Sequence, residues 1–155
     1  MNVADVMTRN AAHIRWNETC GAAVQLMWDR DCGALPVIDD EGSVVGMITD
    51  RDVCISAWLQ ERPPQEIFVS EAMSSDVQCC SAADSIATAE ELMRVKQVRR
   101  LPVLDGRRHL EGIVSLADIA RRGVQLRGRP EAREIAQDEI AATLATICEP
   151  RPARA

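Results

Sequence analysis

The chain has 155 residues, of which 46% are hydrophobic and 27% charged, the range of one ordinary soluble domain or of two very small ones sharing a core. Its formal net charge of −6 argues against a general polyanion binder, and its few aromatics, Trp16, Trp28, Trp58 and Phe68, are too sparse for single-strand stacking platforms. No apolar run approaches the roughly 18 residues needed to span a bilayer, and the N-terminus lacks the order of a secretory signal, so a cytoplasmic protein without a membrane partner is expected.

Val3–Thr8 reads as a short leading segment, followed by an extended stretch around Ala12–Ile14. A helix is predicted from near Glu18-Thr19, with Ala22, Ala23, Leu26 and Met27 at helical spacing and Gly33 placed to close it. Leu35–Ile38 is a buried strand, Asp39–Gly42 a turn and Val44–Ile48 the return strand, after which Thr49 or Asp50 caps a second helix through Ile55. Gln60–Phe68, with Pro63-Pro64, reads as a linker. A second round follows: Val69–Ser74, a helix over Ile86–Lys96, strand Leu101–Leu104, turn Asp105–Arg108, strand Leu110–Val114 and a helix from Leu116. Arg121–Pro130 is basic and punctuated by Gly and Pro, and Glu131–Ile147 reads as a helix with Ile135, Ile140, Leu144 and Ile147 near one face. The end, Glu149–Ala155, is expected to fray.

The two rounds are copies. Sliding the chain by 66 residues aligns Val3–Val53 with Val69–Ile119 without a gap, with identities that include Met7/Met73, Ala23/Ala89, Leu35/Leu101, Pro36/Pro102, Asp39/Asp105, Gly46/Gly112 and Asp52/Asp118. The expected organisation is repeat 1 over 1–60, a linker over 61–68, repeat 2 over 69–121, and an extension over 122–155 with a helix near 131–147. About 50 residues cannot enclose an adequate core alone, so two copies sharing one are expected.

These residues resemble the cystathionine β-synthase (CBS) domain family, and the tandem arrangement looks like a Bateman module. The resemblance rests on V-x-x-x-M-[ST] (Val3–Thr8, Val69–Ser74), L-P-V-h-D (Leu35–Asp39, Leu101–Asp105) and G-h-h-[ST]-x-x-D (Gly46–Asp52, Gly112–Asp118), over about 1–120. It implies an α/β fold of the α+β type: tandem CBS repeats, each β-α-β-β-α, packed with pseudo-twofold symmetry into one module. It further implies adenosine-nucleotide clefts for AMP, ADP or ATP, a homodimer, no required cofactor, and regulation of a separate effector protein. S-adenosylmethionine stays open as the ligand.

In G-h-h-[ST]-x-x-D, a hydroxyl and a carboxylate three residues apart share one face of a helix's first turn. The carboxylate suits ribose hydroxyls, the hydroxyl and free helix N–H groups suit a phosphate, and the glycine permits close backbone approach. The same pattern also fits plain helix caps at Thr49 and Ser115 with exposed acids at Asp52 and Asp118. The resemblance adds the residues before L-P-V and the leading segment of the opposite copy. One cleft would then hold Thr8, His13, Val98, Arg99, Arg100, Ser115 and Asp118, and the other Cys32, Ala34, Thr49, Arg51, Asp52, Ser74 and Cys79. Arg94, Lys96, Arg99, Arg100, Arg107 and Arg108 crowd the second copy, whereas the matching stretch of the first is acidic. A phosphate favours a guanidinium fork, with Arg100 best placed, so the Asp118 cleft is expected to be the stronger site.

No nucleophile, metal or P-loop motif stands out, so no catalysis is expected. The six cysteines form no C-x-x-C pair and read as reduced thiols without a metal. The rival reading is a ligand-free dimerisation or scaffold module acting through a partner protein. Nucleic-acid binding through Arg121–Arg129 is a third and is disfavoured by the overall charge.

Overall fold

The structure is a computed structural model and describes residues 1–128, 130, 135 and 137–150. In chain order its strands and helices are β1 (Thr8–Arg9), β2 (Ile14–Arg15), α1 (Cys20–Asp29), β3 (Ala34–Ile38), β4 (Val44–Thr49), α2 (Asp50–Gln60), α3 (Val69–Ala72), β5 (Cys80–Ser81), α4 (Ile86–Lys96), β6 (Arg100–Leu104), β7 (Leu110–Ser115), α5 (Leu116–Gln125) and α6 (Gln137–Ile147). None of these helices is long and apolar enough to cross a membrane.

The described residues fall into two compact units that do not coincide with the two sequence copies. Unit 1 combines residues 1–9 with 78–104 and the stretch from Glu111 onward; unit 2 combines 10–77 with 105–110. The leading segment of each copy has therefore left its own repeat for the body of the other. Val3 is buried with Ile86, Met93, Leu101, Val103, Val114 and Ile119, while its counterpart Val69 is buried with Cys20, Met27, Leu35, Val37, Ile48 and Val53. Equivalent positions thus build equivalent cores with the first strap exchanged.

In unit 2 the sheet order is β2-β3-β4, with β2 parallel and β4 antiparallel to β3. Strand β3 is the middle strand, which is why every residue of Ala34–Ile38 is buried, whereas β4 alternates, burying Val44, Gly46 and Ile48. Helix α1 begins where the Thr19 side chain accepts the Ala22 N–H, and it buries Cys20, Ala23 and Met27. Gly33 does not close this helix, contrary to expectation. Asp31 takes the left-handed conformation there, at φ 49°, and its counterpart Gln97 does the same after α4, at φ 50°. A Cβ on Gly33 would instead lie 3.0 Å from an Asp50 carboxylate oxygen.

The stretch over 61–68 is packed strap: Ile67 is fully buried, Cys20 N–H donates to its carbonyl at 2.8 Å, and Val69 N–H donates to Glu18 O at 2.8 Å.

In unit 1 the sheet order is β1-β7-β6-β5. Helix α5 continues through Arg121 and Arg122 to Gln125, so the start of the basic stretch is helical. Helix α6 packs against both α4 and α5. The part of the expected helix over 131–134 and 136 lies outside the described residues, as does the tail over 151–155. Within α6 the apolar face differs from expectation. Ile140 and Ile147 pack toward the core and Thr143 is buried, whereas Leu144 is exposed, because an i, i+3, i+7 stripe puts position 144 on its flank.

Candidate functional site

Each unit carries one strand-to-helix junction built from the G-h-h-[ST]-x-x-D pattern, and the two share one local geometry. At the end of β7, Ser115 is the N-cap of α5. Its N–H and hydroxyl donate to Asp118 Oδ2 at 2.9 and 2.5 Å, and its Oγ accepts the Asp118 N–H at 3.2 Å. At the end of β4, Thr49 caps α2 in the same way, with 2.9 and 2.7 Å to Asp52 Oδ2 and 3.1 Å from Asp52 N to Thr49 Oγ1. Both are reciprocal capping boxes, so the capping role of these residues is realised. The hydroxyl proton of each cap is spent on the carboxylate. One carboxylate oxygen of each Asp remains outside the box.

The residues before L-P-V are tied to the junction by backbone. Leu116 N–H donates to Arg99 O at 3.0 Å in unit 1, and Asp50 N–H donates to Gly33 O at 3.3 Å in unit 2. The exchanged leading segments arrive from the other side. Thr8 pairs with Ile113 and Arg9 with Gly112 in antiparallel register, and the equivalent Ser74 exchanges both backbone hydrogen bonds with Met47, at 3.0 and 2.9 Å. These straps explain the glycines. A Cβ on Gly112 would stand 2.5 Å from Thr8 O, and one on Gly46 would strike the Met73 side chain. The close backbone approach is made to the chain's own strap.

Unit 1 therefore brings Thr8, Val98, Arg99, Arg100, Ser115 and Asp118 around one junction, while His13 belongs to unit 2, where its Nδ1 lies 3.1 Å from Ala11 O. Unit 2 brings Cys32, Ala34, Thr49, Arg51, Asp52 and Ser74 around the other junction, while Cys79 belongs to unit 1.

The two junctions differ in charge. Asp118 Oδ1 pairs with Arg121, one helical turn on, and a cleft of about 230 Å³ beside it is lined by Asp5, Val6, Asp118, Arg121, Arg122 and Gln125. Arg121 is exposed, so the pair is weak and open to exchange. Arg100, half-buried at the start of β6, forms no ion pair among the described residues. In unit 2 the junction adds an acid instead. Asp50 stands where unit 1 has Leu116, beside Asp52, with Arg51 as the nearby cation and its N–H donating to Asp50 Oδ1 at 2.7 Å.

Sequence reasoning missed Arg121, Arg122 and Asp5. The i, i+3 spacing of Asp118 and Arg121 was an available signal; the arrival of Asp5 depends on the strap exchange and left none.

None of the six cysteines is in a disulfide. Burial, helped by the charges of Asp84 and Cys79, pushes the Cys80 thiol up to about 12, and burial with the nearby Glu71 raises Cys20. Both are inert thiols at neutral pH. Among the described residues no group of three or more His, Cys, Asp or Glu is placed to hold a metal ion.

The profile of the CBS domain matches residues 3–56 and 69–124. The CBS domain-containing protein YhcV of Bacillus subtilis is 39% identical over 119 residues, which cover 77% of this chain and 83% of that protein. Hypoxic response protein 1 of Mycobacterium tuberculosis is 37% identical over 117 residues, covering 76% and 81%. The crystal structure of Hypoxic Response Protein I with two coordinated zinc ions superposes with a TM-score of 0.72 at 35% identity, over 78% of this chain and 98% of that one. The structure of CBSX2 in complex with AMP gives 0.71 at 26% identity, over 81% and 97%.

Proposed function

The chain belongs to the CBS domain family, and from that premise we propose that it is a regulatory module, without catalysis of its own, that binds an adenosine nucleotide of the AMP, ADP or ATP type. Ligand-binding regulation is the family's general role, and a relative of this fold holds AMP. The observation that carries the reading is the duplicated junction. In each unit a capped Asp, the backbone before L-P-V and an exchanged strap converge.

The chemistry divides by group. The Asp118 oxygen outside the capping box accepts from ribose hydroxyls, displacing the exposed Arg121. Arg100 and Arg99 supply the fork for phosphate, with Thr8, Val98 and Ser115 as the cleft wall. At the other junction Asp52, Thr49, Arg51, Cys32, Ala34 and Ser74 form a site poorer in cations, which takes the same ligand more weakly. The working form is a cytoplasmic homodimer that acts on an effector protein.

A thermal-shift series with AMP, ADP, ATP, adenosine and S-adenosylmethionine tests the reading. A ligand that binds only the folded state stabilises it by about 2.7 kcal/mol at 100 times its dissociation constant. Stabilisation by the phosphorylated nucleotides above adenosine is expected. A response to S-adenosylmethionine alone would reassign the ligand, and no response to any of the five would favour the scaffold reading.

A further inference from the structure

Helix α6 follows the second repeat and packs on α4 and α5 of unit 1. Its seat is prepared on α5, where Gly123 leaves room for Ile135 and Ile140; a Cβ there would lie 3.1 Å from Ile135 Cγ2. Thr143 is buried at the middle of the helix. Near its end, Thr146 O accepts from Gln97 Nε2, just past α4, at 3.1 Å.

Under this cover sits a carboxyl. Glu90, at the middle of α4, is 4% exposed, whereas its counterpart on α1, Val24, is 42% exposed. The two helices otherwise bury the same positions, Ile86, Ala89 and Met93 on α4 matching Cys20, Ala23 and Met27 on α1. The added burial at position 90 is therefore the work of α6, which packs on α4. Glu90 Oε1 has no hydrogen-bond partner, and a buried carboxyl in that state is far cheaper to hold protonated than ionised. The charges around it do not offset this. Glu139 of α6 opposes ionisation, Arg94 of α4 favours it but is paired with Glu91, and α5 brings Arg122, whose buried Nε donates to nothing. Burial first, then the Glu139 charge, push the Glu90 carboxyl up to about 7, against the pull of Arg94.

We propose that α6 is a pH-sensitive latch on unit 1, docked over α4 and α5 while the Glu90 carboxyl holds its proton and loosened once that carboxyl is ionised. Undocking returns Glu90 to water and to the ordinary carboxylate range, so the docked helix holds a proton that the undocked one releases. Opening accordingly grows as pH rises from that range toward about 7 and levels off above it. Helix α5, uncovered on opening, is also the helix whose Asp118, Arg121 and Arg122 line the cleft, so the latch bears on one wall of it.

Hydrogen–deuterium exchange of the full chain without nucleotide tests the latch, at pH 5 and pH 8, with protection corrected for intrinsic exchange at each pH. Glu90→Gln and Glu139→Gln are run alongside, each checked for folding by circular dichroism. In the unaltered chain α6 should be less protected than β6 at either pH by at least about tenfold, the mark of an opening short of unfolding. Its protection should fall at least about tenfold from pH 5 to pH 8. Glu90→Gln should abolish that fall and Glu139→Gln should lessen it. Where Glu90→Gln fails to fold, Glu90→Val, which copies the residue of unit 2, takes its place. Protection of α6 equal to that of β6 would mean that the helix leaves only when unit 1 unfolds, and would overturn the inference. So would an unaltered chain with no fall, or a fall that persists in the folded Glu90 variant. With no nucleotide present, none of these results bears on the nucleotide reading.

Discussion

Around Asp118 stand Arg99, Arg100, Arg121 and Arg122; at the same four places around Asp52 stand Gly33, Ala34, Ile55 and Ser56. The cores beneath are position-for-position counterparts, Leu35 with Leu101, Val37 with Val103 and Ile48 with Val114, all fully buried. The contrast separates two kinds of constraint. Core positions answer to packing, which is the same problem in both units, and therefore stay alike. At the four matched positions around the junction the charge differs, four guanidinium groups against none, while the fold stays the same.

The largest expected effect concerns what the units share. Leu35→Ala and Leu101→Ala should each cost about 2–5 kcal/mol in urea unfolding, because each removes a fully buried side chain from a counterpart site. Costs differing by more than about 2 kcal/mol would break the equivalence of the two cores, since sites of equal collapsibility should pay alike.

The second effect belongs to unit 1 alone. Glu90, where unit 2 has the exposed Val24, is buried with its Oε1 unpartnered. Burial, then the Glu139 charge, push its carboxyl up to about 7, against a lowering pull from Arg94. Between the ordinary carboxylate value and about 7 the folded state binds the proton that the unfolded state has lost, so stability should fall as pH rises through that window and level off above it. Glu90→Gln should remove that slope and raise stability at pH 8 by up to about 3 kcal/mol. Denaturation of both forms at pH 5 and pH 8 checks it, and an unchanged slope would mean that another group titrates.

A smaller effect returns to the shared junctions. Ser115→Ala and Thr49→Ala each delete a cap and should cost about 1 kcal/mol apiece in thermal unfolding, with little difference between them. A markedly larger loss at one would show that its box does more than end a helix.

Much of this was legible in the sequence. The 66-residue offset located both helices, both central strands and both junctions, because periodicity, turn residues and caps are local signals repeated twice. What escaped notice was decided by contacts distant in sequence. Gly33 looks like a helix stop, yet Asp31 takes the left-handed turn and Gly33 makes room beside Asp50. Leu144 looks like core, yet Thr143 is the residue that α6 buries. Trp28 and Trp58 stand out in the sequence only as two of its few aromatics, and it is the fold that leaves both exposed. At the junctions, the pattern allowed both a cap and a ligand site; the hydrogen bonds display the cap, and the Asp118 oxygen outside it is paired with Arg121.

The most direct test of that chemistry is calorimetric titration of the nucleotide-stripped chain with AMP and ATP, run on Arg100→Ala, Asp118→Asn and Asp52→Asn in parallel. Asparagine keeps an oxygen to accept the cap hydrogen bonds while removing the charge. The account calls for a tighter site weakened at least tenfold by Arg100→Ala and Asp118→Asn and left intact by Asp52→Asn. Tight binding that survives both unit 1 variants, or is lost in Asp52→Asn, would contradict it.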